Sequence, residues 1–152
     1  MIVKLLITII GCTLLTAGCW GPRPSSLGVE KGKLKKCPDT PNCVSSQEEG
    51  SHFIEPVKYS GTLKDARSAL LDILKNMKRT EVVISEDNYI HAESTSLLFR
   101  FVDDVEFYLD DSAKLIHVRS ASRVGRSDLG VNRKRVEGIR NKFETMQGTD
   151  NP

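Results

Sequence analysis

The sequence predicts an α+β fold: an antiparallel β-sheet with two helices packed on one face, in the order β-α-β-β-β-β-α. Two helical stripes and one long alternation carry this. Ala66, Ala69, Leu70, Ile73, Leu74 and Met77 recur with helical period, as do Val136, Ile139, Phe143 and Met146. Between them, Phe99, Phe101, Val105, Phe107 and Leu109 are expected on one face of a strand, with Arg100, Asp104 and Glu106 on the other. Each element has one apolar side, so the helices share one sheet face and the other face is expected to be polar and open to water.

The elements follow in order. His52–Tyr59 predicts a strand, and Pro56 restricts it to an edge or a bulge because proline lacks the amide a central ladder needs. Thr62 caps the first helix, with Asp65 at capping-box spacing. Lys75, Lys78 and Arg79 crowd its last turn, where the helix dipole favours cations. Short β-branched runs predict strands at 81–85 and 88–93, the long alternation at 97–109, and another strand at 114–121. In the last, Ile116 and Val118 face inward and His117 and Arg119 outward. After the loop SRVGRSDLG, the second helix is expected over 131–146, with Gly148 as its stop.

The start of the chain predicts location. Lys4 precedes an apolar run from Leu5 to Ile10, and Leu14-Leu15 leads through Thr16-Ala17-Gly18 to Cys19. This is the layout of a bacterial secretion signal, and the cysteine after small residues makes it resemble a lipoprotein signal. Residues 1–18 are therefore expected to be removed and Cys19 to be acylated. Cys12 is a poorer lipidation candidate because its apolar run is too short, and a spanning helix would need roughly 20 apolar residues. Residues 19–36, rich in Pro, Gly, Ser and Lys, are expected to be a flexible tether, 37–147 a single domain and 148–152 a tail. Trp20 is not the Asp associated with inner-membrane retention, so the expected site is the outer membrane, facing the periplasm.

A net charge of +2 lacks the basic excess of a nucleic-acid binder. The charge is segregated, however. Residues 81–111 are acidic, with Arg100 their one base; residues 114–142 are basic, with Asp128 and Glu137 their acids. Opposite blocks of this kind pair across a fold. Cys37 and Cys43, in CPDTPNC, are expected to form a structural disulfide in an oxidising envelope, with free thiols the alternative. A zinc site would want further His or Cys ligands nearby, and a redox catalyst would more often show C-x-x-C.

CPDTPNCVSS, DDVEF (103–107) and RSASRVGRSDLGVNRKRVEGIR (119–140) together resemble the uncharacterised family numbered 1499 among domains of unknown function. The resemblance covers roughly Leu27 to Phe143. It implies an envelope protein, often with a lipoprotein or membrane-anchored start, and no agreed activity.

The sequence names no catalytic residue, cofactor or metal. G-x-S-x-G is absent, His91 and His117 fall at outward strand positions, and phosphate-loop and dinucleotide motifs are missing. Asp103, Asp104 and Glu106 offer ligands for a hard cation, but adjacent Asp103 and Asp104 point to opposite faces of a strand. The strongest constellation is Arg119, Ser120, Ser122, Arg123, Ser127, Asp128, Asn132 and Arg133. It is either a pocket for an anionic small molecule, lipid head group or peptide carboxylate, or a network in which Arg119, Arg123 and Arg133 hold Asp103, Asp104, Glu106 and Asp128. The network is the favoured reading, with Arg100 and Glu93 extending the ladder. The expected function is a non-enzymatic binding or structural role at the membrane, meeting an envelope partner or anionic ligand. The alternative is a small envelope hydrolase or lipid-modifying enzyme using the Ser/Arg/Asp cluster.

Overall fold

The computed structural model describes residues 21–149; the expected signal segment and Cys19 lie outside the described residues. The elements are β1 (Val29–Glu30), β2 (Lys33–Leu34), β3 (Cys43–Ser45), a 3-10 turn (Gly50–His52), β4 (Val57–Lys58), α1 (Leu63–Lys75), β5 (Thr80–Ser85), β6 (Tyr89–Thr95), β7 (Val102–Asp110), β8 (Leu115–Ser122) and α2 (Val131–Thr149). The main sheet has the order β3-β8-β7-β6-β5, with β4 also on β8, and every pair in it is antiparallel. The fold class is the expected one. No described helix is long and apolar enough to cross a membrane.

The first helix forms as its sequence dictates. Thr62 Oγ1 accepts from the Asp65 amide at 3.1 Å and donates to the Asp65 carboxylate at 2.6 Å. Ala66, Leu70, Ile73 and Leu74 then face the sheet, joined by Val136, Ile139 and Phe143 of α2. They meet Ile90, Ala92, Val105, Phe107, Leu109, Ile116 and Val118, which period-two alternation places on one sheet face. Phe107 and Phe143 are fully buried; each such side chain is worth about 1.5–3 kcal/mol when removed from water.

Four expectations need correction. The strand expected over 52–59 shrinks to Val57–Lys58, because Pro56 cannot donate to the β8 edge and Gly50–His52 forms a 3-10 turn instead. α2 runs through Gly148 to Thr149, so the expected tail begins inside the helix. The long alternation is a strand only from Val102. β6 ends at Thr95, opposite Val102, and β8 at Ser122, opposite Asp103, so residues 97–101 have no neighbour to pair with. They form a loop closed by Ser96 N donating to Phe101 O at 2.8 Å and Phe101 N donating to Ser96 Oγ at 2.9 Å. Leu97, Leu98 and Phe99 are 68, 81 and 68 % exposed, so Phe99 and Phe101 lie outside the core stripe.

The fourth correction concerns the second sheet face, which is covered. The expected tether folds back over it. β1 and β2 form an antiparallel hairpin turned by Lys31 (φ 51°) and Gly32 (φ 75°), both left-handed as a two-residue hairpin turn requires. Leu34 N donates to Gln47 Oε1 at 2.8 Å and Gln47 Nε2 returns a bond to Gly32 O at 2.9 Å. The segment then reaches Cys37, which is bonded to Cys43 on β3 (S–S 2.03 Å).

Candidate functional site

The covered face carries an ordered charge row. Register places Glu93 opposite Asp104, His91 opposite Glu106, and Glu106 opposite Arg119. Glu106 is fully buried and accepts from Arg119 Nη1, the Tyr89 hydroxyl and the Gly28 amide, each at 2.9 Å. Asp104 takes the Arg123 fork, Nε at 2.9 Å and Nη2 at 2.7 Å, and lies 2.8 Å from His91 Nε2. The same Arg123 Nη2 lies 2.5 Å from Glu93, which also holds Arg23 Nε at 2.6 Å. Arg100, expected in this ladder, is instead exposed in the 97–101 loop with φ 57°.

The electrostatics follow. Burial opposes ionisation of Asp104 and Glu93, but the arginine hydrogen bonds outweigh it and hold both carboxyls below their ordinary range. The Asp104 bond raises the Arg123 guanidinium above its ordinary value. Burial, then Glu106, pushes the Tyr89 phenol up, so it stays a donor. His91, Glu93 and Asp104 place ligand atoms within 4.8 Å of one another, but both carboxylates are already held by guanidinium groups. Two buried nitrogens, His91 Nδ1 and Arg119 Nε, have no hydrogen-bond partner among the described residues.

A second network lies on the helix side, beyond the apolar core. Asp103 is held by Arg135 Nη2 at 2.6 Å, and Arg135 Nη1 donates to Asn132 Oδ1 and Ser120 Oγ. Ser120 Oγ donates to Asn132 Oδ1 at 2.6 Å, while Asn132 Nδ2 donates to Asn42 O and Ser122 Oγ at 3.0 Å. Asp128 pairs with no arginine among the described residues. Its carboxylate accepts from the Gly130 amide at 3.0 Å and the Asn132 amide at 2.8 Å, capping α2 and filling the helix start where the alternative reading placed an anionic ligand. Ser127 Oγ accepts from Leu129 N at 3.3 Å.

The structure thus brings Arg119, Arg123, Asp104 and Glu106 together on one face, and Asp103, Ser120, Ser122 and Asn132 on the other. Arg133 joins neither. It donates to Ser51 O at 2.8 Å from a half-buried position, and Arg135 takes the pairing expected of it. The reason is helical phase: Asn132, Arg135, Val136 and Ile139 share the inward stripe, and Arg133 turns away. That spacing was the signal for Arg135. Tyr89 and His91 were legible as the outward positions of a strand opposite Glu106. Arg23 and Gly28, inside the expected tether, gave no such signal.

The histidines are engaged structurally. His52 Nδ1 lies 2.9 Å from Cys43 O, and His117 Nδ1 lies 3.3 Å from Ser46 Oγ. That hydroxyl accepts from Val118 N, burial pushes His117 down, and no carboxylate hydrogen-bonds His117 among the described residues.

The family model described as "Protein of unknown function (DUF1499)" matches residues 33–143. The chain belongs to this family. The matched span holds both networks and the disulfide, and leaves out Arg23 and Gly28, which complete the covered face. Neither curated proteins nor solved structures gave a match.

Proposed function

We propose that this DUF1499 member is an envelope lipoprotein, acylated at Cys19 and facing the periplasm, with a non-enzymatic binding or structural role. One observation carries the non-enzymatic part: the buried carboxylates of β7 and the start of α2 are engaged by the chain's own groups. Asp103, Asp104 and Glu106 each hold an arginine, and the start of α2 holds Asp128. Charges this deeply buried hold a fold in register when paired and are costly to free for a ligand. The signal layout ending at Cys19 supports the tether, and Trp20 favours delivery to the outer membrane. In cells fed a labelled fatty acid, Cys19→Ala abolishes labelling and processing at that point. Labelling that persists in this variant refutes the anchor.

A further inference from the structure

We infer that the end of the sheet bearing the 97–101 loop docks into the bilayer that receives the Cys19 lipid. Leu97, Leu98 and Phe99 are 68, 81 and 68 % exposed, and Phe99 stacks on Phe101 with ring centroids 5.5 Å apart. At the same end of the sheet, Leu129 is 94 % exposed and Val131 49 %. Contiguous exposed apolar side chains on a water-soluble domain mark a surface meant to be covered.

The course of the chain identifies the cover. Gly21 lies against Arg123 and Val124; a Cβ there would sit 2.9 Å from Arg123 Cβ. Arg123 N donates to Val102 O, immediately beside the loop. The described chain therefore begins at the apolar end of the sheet. Two extended residues span about 7 Å, so a lipid on Cys19 stays within that reach of Gly21. The charges agree. The two loops carry exposed Arg100 and Arg126, suited to the phosphates beside an inserted apolar tip. Their one acid, Asp128, is turned onto the amides of α2. A lipid on Cys19 holds only the end of the chain at the bilayer, and a second, protein-borne contact fixes the orientation of the domain.

This inference rests on the anchor reading, so the test separates the two. The full-length protein is purified from membranes with Trp20→Phe as background, and its mass reports acylation of Cys19. A tryptophan is placed by Leu98→Trp, or by Ala113→Trp in the exposed turn at the opposite end of the sheet. Each variant is reconstituted into phosphatidylethanolamine–phosphatidylglycerol vesicles with brominated acyl chains, where bromine quenches only tryptophan that enters the bilayer. The Leu98→Trp emission should be largely lost and the Ala113→Trp emission kept. Emission kept at both positions in acylated protein overturns the docking while the anchor stands, as does equal loss at both. An unquenched but blue-shifted Leu98→Trp accompanied by a co-purifying protein overturns it in favour of a protein partner. A missing acyl mass refutes the anchor, and quenching of Leu98→Trp then reports the loop alone.

Discussion

Arg123→Ala tests whether the covered charge row is structural. The Arg123 side chain is 6 % exposed and Asp104 2 %. The substitution removes both bonds to Asp104 and the one to Glu93. Glu93 keeps Arg23, a pair open enough to water to be worth at most about 1 kcal/mol. Among the described residues Asp104 then keeps only His91 and is otherwise stranded in a buried setting. Breaking a buried pair by removing one member costs about 3–5 kcal/mol. At roughly 4 °C per kcal/mol for a domain of this size, the melting temperature should fall by about 12–20 °C. Arg133→Ala is the control. It loses one exposed bond to the Ser51 carbonyl, worth about 0.5–1.5 kcal/mol, or about 2–6 °C. Thermal melts followed by circular dichroism at neutral pH compare the two. An Arg123→Ala melt within a few degrees of the parent refutes the reasoning, and so does an equal loss from Arg133→Ala.

Two further predictions concern conditions. Asp104 and Glu93 are held below their ordinary range in the fold, and burial depresses His117 as well. In each case the unfolded chain binds protons more readily, so stability is complete above the ordinary histidine range and falls with pH. His117 contributes first and the carboxylates later, through the carboxylate range. Melts at falling pH should show monotonic loss, and a stability maximum at acidic pH would refute this. The Cys37–Cys43 bond closes a ring across a sequence separation of 6, worth about 2–3 kcal/mol. Thiol counting under denaturing, non-reducing conditions should find both cysteines blocked in exported protein, and two free thiols would refute the pairing.

What could be read from the sequence was what depends on neighbours in the chain. α1 was legible because Thr62, Asp65 and the Ala66–Leu74 stripe act within one helix. The pairing of the acidic and basic blocks was legible because buried charges need partners. Its wiring was not. Choosing Arg135 over Arg133 needed the helical phase set by Asn132 and Val136, and that phase shows only when the stripe is extended upstream of Val136. The 97–101 alternation misled because periodicity does not say where partner strands stop. The composition of 21–36 masked a hairpin whose signal was present: Lys31-Gly32 between Val29-Glu30 and Lys33-Leu34. Compositional bias overrode turn chemistry there.

The N-terminal cover also fixes how a mechanical load would travel. A pull on the N-terminal end of the described chain enters at Gly21, whose carbonyl is held by Arg123, then meets the Arg23–Glu93 pair and the Gly28–Glu106 bond in turn. These grips are spaced along the segment, so tension peels them one after another instead of loading them together. Past the hairpin the force reaches Cys37, crosses the disulfide to Cys43 and bypasses residues 38–42. It then bears on β3, an outer strand hydrogen-bonded to β8. Peeling would therefore uncover Asp104 and Glu106 of β7 before it strains the helix-packed core, so the segment acts as a cover over that charge row.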